Sequence, residues 1–144
     1  MKNVKDTKAV YWQLMQLMFQ SKHRIYQIAE KYDLTMMQSS ALTMLSYDDP
    51  KAMRTLSDYF MCDASTVTGL VDRLEARKLI ARSNHPSDRR VKLLSLTDKG
   101  AATKAVILNE TLAAEEERLK TVLTIEERET LRTLLAKLLA DTPE

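Results

Sequence analysis

The chain has 144 residues, 44% hydrophobic and 29% charged, with a formal net charge of +2. This is the make-up of a folded domain or of one subunit of an oligomer, and it excludes a disordered chain. No run of apolar residues is long enough to span a membrane.

Two glycines and three prolines leave room for long, lightly interrupted helices. The single cysteine, Cys62, cannot form an intrachain disulfide. The first residues, Met1-Lys2-Asn3-Val4-Lys5-Asp6, lack the apolar segment of a secretory leader, so a cytoplasmic location is expected. Charge is unevenly spread: residues 1–49 carry +1, residues 50–100 carry +4 and residues 101–144 carry −3. The positive excess falls on the middle of the chain, where a polyanion would be met.

From the amino terminus, Val10, Leu14, Leu17, Met18, Ile25 and Ile28 recur at three- and four-residue steps and predict a helix over about Thr7–Tyr32. Thr35-Met36-Met37-Gln38 matches a capping box and opens a second helix that carries Leu42 and Leu45. It stops near Tyr47-Asp48-Asp49-Pro50. Phe19, His23, Met36 and Met37 cluster near this junction and are candidates for an effector pocket, since methionine adapts to varied apolar guests. Plain core packing is the competing expectation for these four.

A short helix follows over Arg54–Phe60, with Leu56 and Phe60 on its inner side, and Met61-Cys62-Asp63 makes a turn. Cys62 is expected to pack there rather than to sense oxidants. Asp63 is a good N-cap for the next helix, Ala64–Arg77. On a helical wheel, Val67, Leu70, Val71 and Leu74 share one inner stripe. Ser65, Gly69, Asp72 and Ala76 point away from it, flanked by Thr66, Thr68 and Arg73.

That outer face suits a DNA groove. Its side chains are small, its hydroxyls can bond phosphates or base edges, and Arg73 can bond phosphate or guanine. Gly69 costs ~1 kcal/mol relative to alanine in a helix; close approach of another backbone or of DNA would account for it. Asp72 would be repelled by phosphates. It either accepts from a cytosine amine or orients a neighbouring arginine, and the arginine is preferred.

Leu79–Arg82 and Val91–Leu96 read as two strands flanking the loop Asn84–Arg90. Within the loop, Arg89 and Arg90 can enter a minor groove, with Asp88 expected to hold one of them in position. Arg54 and Lys78 are further cations placed to reach a DNA backbone. Thr97 is expected to cap a long helix over Asp98–Lys120. Thr124-Ile125-Glu126-Glu127 is a second capping box, opening a helix through Leu139. Leu131, Leu134, Leu135, Leu138 and Leu139 lie at helical spacing on it, a face that a second copy of the chain would cover.

In order and spacing these residues resemble the MarR family of winged helix-turn-helix transcriptional regulators. The resemblance rests on Leu34-Thr35 with Gln38, Leu56, Ser65–Thr68, Leu70–Glu75, Leu79–Arg82, Asp88–Arg90 and Leu96–Gly100. It implies a mainly α fold with a small antiparallel β-hairpin, in a single domain over 1–144. Residues 34–100 would form the DNA-binding lobe, with dimerisation helices in 1–33 and 101–144. It further implies a homodimer that binds double-stranded DNA at a pseudo-palindromic operator, usually as a repressor released by a small phenolic or lipophilic effector or by oxidation.

Three positions depart from the family pattern. Ala52 stands where a serine or threonine would cap the third helix, Ser57 replaces an alanine, and Lys78 replaces the glycine that ends the recognition helix. The alternative function is a winged-helix protein-interaction module without specific DNA binding. An enzyme is not expected, because no catalytic triad, phosphate loop or metal-ligand spacing emerges, and His23 and His85 lie far apart; no cofactor or metal is expected.

Overall fold

In the computed structural model the described residues are 4–141. Six helices and three short strands follow in the order α1 (Val4–Glu30), α2 (Met36–Met44), β1 (Lys51–Ala52), α3 (Met53–Phe60), α4 (Ala64–Ala76), β2 (Ile80–Asn84), β3 (Lys92–Leu96), α5 (Asp98–Val122) and α6 (Ile125–Ala140). Among the described residues no helix is long and apolar enough to cross a membrane. The chain divides into two compact units, one reaching Leu108 and the other starting at Asn109.

In the first unit the core is built from Leu34, Leu42, Leu45, Leu56, Val67, Val71, Leu74, Leu79, Ile80 and Leu94, all essentially inaccessible. They come from α2, α3, α4, the strands and the connections between them. Burying each such aliphatic side chain is worth about 1.5–3 kcal/mol relative to leaving it exposed. The inner stripe expected on α4 is the buried one: Val67, Leu70, Val71 and Leu74.

The helix starts follow local sequence. Thr35 accepts from the Gln38 N–H while Gln38 accepts from the Thr35 N–H. Asp63 accepts from the Thr66 N–H, and the Thr97 hydroxyl accepts from the Gly100 N–H. Ala52 caps α3 with no side-chain bond. Its place is held instead by β1, a strand the hairpin pattern did not predict, which makes the sheet three-stranded with order β1-β3-β2. Lys51 pairs with Leu94 and Ala52 with Leu93. Two residues are too short to carry a period-two signal, and Pro50 just before them reads as a turn.

The helix ends are less usual. Asp33, Met61 and Lys78 have φ of 55°, 48° and 59°. Each closes a helix in the same way. Leu34 N–H donates to Ala29 O, Cys62 N–H to Ser57 O and Leu79 N–H to Leu74 O, and each left-handed residue donates its own N–H three residues back, to Glu30 O, Asp58 O and Glu75 O. This is the Schellman arrangement, which ordinarily recruits glycine. Lys78 is therefore left-handed as its replacement of a glycine implied, and it carries the steric cost of a Cβ in that region.

Cations from elsewhere in the chain supply what the helix ends lack. Neither α1 nor α2 has a basic residue in its last turn. Arg77 donates to the carbonyls of Tyr32 and Asp33 beyond α1. Lys104 donates to Thr43 O and Leu45 O at the end of α2, and Lys99 donates to Arg77 O at the end of α4. Each places positive charge on the negative end of a helix dipole. Gly100 lies under the same turn: a Cβ there would sit 1.8 Å from Leu79 O, so no side chain fits.

In the second unit, α6 starts at the capping box of Thr124 and Glu127. None of its residues is buried. Leu134, Leu135, Leu138 and Leu139 are exposed and Leu131 is half-exposed.

Candidate nucleic-acid interface

The outer face of α4 is open. Ser65, Thr66, Thr68, Asp72 and Arg73 are exposed and Gly69 is half-buried. An added Cβ at Gly69 would meet nothing within 4 Å, so no neighbouring helix explains the glycine. Of the two reasons open for it, approach of another part of this chain is removed among the described residues.

The hydroxyls on this face already have partners. Ser65 Oγ donates to Asp63 Oδ1 at 2.8 Å and Thr68 Oγ1 donates to Ala64 O at 2.8 Å. Asp63 also accepts from the Thr66 N–H at 2.7 Å. That backbone bond, followed by the Ser65 hydroxyl, holds the Asp63 carboxyl below its ordinary pKa. A carboxylate at a helix start also lies at the positive end of the dipole. Arg73 is exposed, and it borders a groove of about 490 Å³ together with Thr35, Met36, Met37, Gln38, Ser65, Thr66, Gly69 and Leu70.

The wing is β2 and β3 with the turn between them. Ile80 pairs with Leu96, Arg82 with Leu94 and Asn84 with Lys92. Asp88 does not hold a guanidinium in this turn. Its Oδ1 accepts from the Arg90 backbone N–H at 3.0 Å, and its carbonyl accepts from the Val91 N–H. A short acidic side chain in a turn reaches its own backbone two residues on more readily than a long, mobile arginine tip. Arg89 and Arg90 are exposed, and neither makes an ion pair among the described residues.

Asp72 does meet an arginine, and it is Arg82 of β2. Arg82 binds Asp72 through one nitrogen and Glu75 through another. The hydrogen bond that Arg82 donates to Asp72 is the largest cause raising the Arg82 pKa, so this cation is held charged. Sequence reasoning placed Arg82 in a strand and gave it no role. The signal was present: period-two alternation puts Arg82 on the same sheet face as the buried Ile80, against α4, and a guanidinium there needs carboxylate partners.

The remaining candidates are dispersed. Arg54 is exposed on α3 and lies 3.8 Å from Asp58. Lys78 is exposed at the left-handed end of α4. Met36 and Met37 border the α4 groove. Phe19 and His23, exposed on α1, border neither that groove nor a second one of about 210 Å³ between α1 and α2. Lys22, Ile25, Tyr26, Ser40, Thr43 and Tyr59 are among the residues lining the second groove, none of them expected from sequence to line a pocket. Cys62 is half-buried and packs against the core.

Residues 34–92 match the model of the MarR family. The chain is 38% identical over 69 residues to the HTH-type transcriptional repressor NicR of Pseudomonas putida. That match takes in 48% of this chain and 44% of NicR, so it spans less than half of the relative. The fold superposes on the transcriptional regulator Tm0710 of Thermotoga maritima with a TM-score of 0.81 and 26% identity, covering 92% of this chain and 93% of that one. It also superposes on a mutant of Staphylococcus aureus MepR bound to an oligodeoxyribonucleotide, with a TM-score of 0.66, 25% identity and coverage of 91% and 96%.

Proposed function

We propose that this chain, whose residues 34–92 match the model of the MarR family, is a sequence-specific DNA-binding transcriptional regulator, a repressor that acts as a homodimer on a pseudo-palindromic operator. The observation that carries this reading is the pairing of an open helix face with an unengaged basic turn. Ser65, Thr66, Gly69 and Arg73 leave room for a major groove, while Arg89 and Arg90 are exposed and make no ion pair among the described residues. The likeness to MepR, which was solved with an oligodeoxyribonucleotide, supports the same use of the fold.

In this reading Ser65, Thr66, Thr68 and Arg73 meet base edges and nearby phosphates, and Gly69 admits the groove floor. Arg89 and Arg90 enter the flanking minor groove, with Asp88 shaping the turn that presents them. Arg54 and Lys78 reach the backbone. Two recognition helices in successive major grooves would stand about 34 Å apart, one turn of DNA. The uncovered leucines of α6 support self-association.

We extend the proposal to a small phenolic or lipophilic effector. Met36 and Met37 border the same groove as Ser65, Gly69 and Arg73; an apolar guest seated there would compete directly with DNA.

The test is binding of the purified protein to its own upstream DNA and to random duplex across a salt series. Specific retention that weakens steeply with salt is expected, because released counterions set the slope. Absence of binding at low salt would overturn the regulator reading in favour of a protein-interaction module.

A further inference from the structure

Arg82 belongs to neither DNA-facing set, yet it joins them. It stands on β2 just ahead of the wing turn, and its guanidinium bridges Asp72 and Glu75, three residues apart on α4. Such a spacing puts both carboxylates on one helix face. The Arg82 side chain is only 26% exposed, against 58% for Asp72 and 40% for Glu75, so the cation is the sheltered partner of the three. Two-point attachment to separate carboxylates fixes the angle of the strand as well as its distance from the helix.

The bridge also has an electrostatic consequence. Asp72 adjoins Arg73 on the outer side of α4, where an unpaired carboxylate would repel phosphates and draw on the neighbouring cation. With Arg82 bound, that negative charge is compensated from behind, and Arg73 keeps its full attraction for DNA.

Resting on the regulator reading above, we propose that Arg82 is a positioning residue of the DNA-binding face. It locks the wing to the recognition helix and withdraws the Asp72 and Glu75 carboxylates from the approaching phosphates, without touching DNA itself. Arg89 and Arg90 then reach the minor groove in register with Ser65 and Arg73.

The experiment measures affinity by fluorescence anisotropy for a duplex from the upstream region, across salt, with folding checked by circular dichroism. Arg82→Gln is expected to weaken binding about ten-fold, a typical size for the loss of coupling between adjoining groups. The slope of log affinity against log salt should fall only as far as the wing contacts weaken, so adding Arg82→Gln to an Arg89→Ala, Arg90→Ala background should change it no further. Arg90→Ala should cost less in the Arg82→Gln background than alone, because a wing already out of register has less to lose. Adding Asp72→Asn to Arg82→Gln should recover part of the affinity. Arg82→Lys, which keeps the charge but reaches one carboxylate, should fall between wild type and Arg82→Gln, and it serves if Arg82→Gln does not fold.

A slope reduced by about one more when Arg82→Gln is added to the Arg89→Ala, Arg90→Ala background would mean direct phosphate contact by Arg82 and would overturn the proposal. So would unchanged affinity, or losses that simply add. Wild-type protein that binds no duplex would instead sink the regulator reading on which the proposal rests.

Discussion

Leu56, Leu74 and Leu94 of the winged lobe are fully buried, whereas Leu134, Leu138 and Leu139 of α6 are 53%, 57% and 75% exposed. The lobe closes its own core between three helices and a sheet, and it ties its helix ends with side chains from neighbouring elements. The last helix has a good start and an apolar face, yet no buried residue. A helix of this length is marginal alone in water and draws its stability from what its apolar face meets. The two regions thus differ in how far their apolar side chains are covered: the lobe buries its leucines, and α6 leaves its own exposed.

This difference can be broken from either side. The largest effect is expected for Leu74→Ala, which leaves a cavity in the lobe and should cost about 2–5 kcal/mol, read by chemical denaturation. Next comes Leu138→Glu. It should leave the lobe folded while converting a two-chain species to one chain in light scattering, with a melting temperature that no longer rises with protein concentration. A species of unchanged mass would show that this face is covered in some other way.

A smaller, opposite change is expected for Lys78→Gly. Relief of the left-handed strain should stabilise the lobe by ~1 kcal/mol, raising the melting temperature by a few degrees. The smallest effect concerns acid. The Asp63 pKa is depressed in the folded chain, so its stabilising contribution is complete above the unfolded carboxylate value and fades as pH falls through the lowered one. Below about pH 4, wild type should lose melting temperature more steeply than Asp63→Asn, which keeps a capping oxygen without a titrating proton.

What the sequence disclosed was local. The Thr35 and Thr124 capping boxes, the Asp63 cap and the buried stripe of α4 each depend on residues within a turn or two. So did the left-handed end at Lys78, once its replacement of a glycine was noticed. The features that escaped depend on tertiary placement. Strand β1 exists because β3 lies beside it, and Lys51-Ala52 carries no pattern of its own. The arginine that meets Asp72 comes from ten residues away on another element. The turn at Asp88 was misread because backbone donors are closer than guanidinium groups, a matter of reach that composition does not record.

The cations that finish the helix ends set an order on the ribosome. The carbonyls after α1 wait for Arg77, 44 and 45 residues further along. The end of α4 waits 22 residues for Lys99. The end of α2 waits longest, with Lys104 lying 61 and 59 residues beyond Thr43 and Leu45. Helix α2 has only nine residues, too few to persist alone. During synthesis the two bonds from Lys104 to the end of α2 can therefore close only after the early turns of α5 leave the exit tunnel.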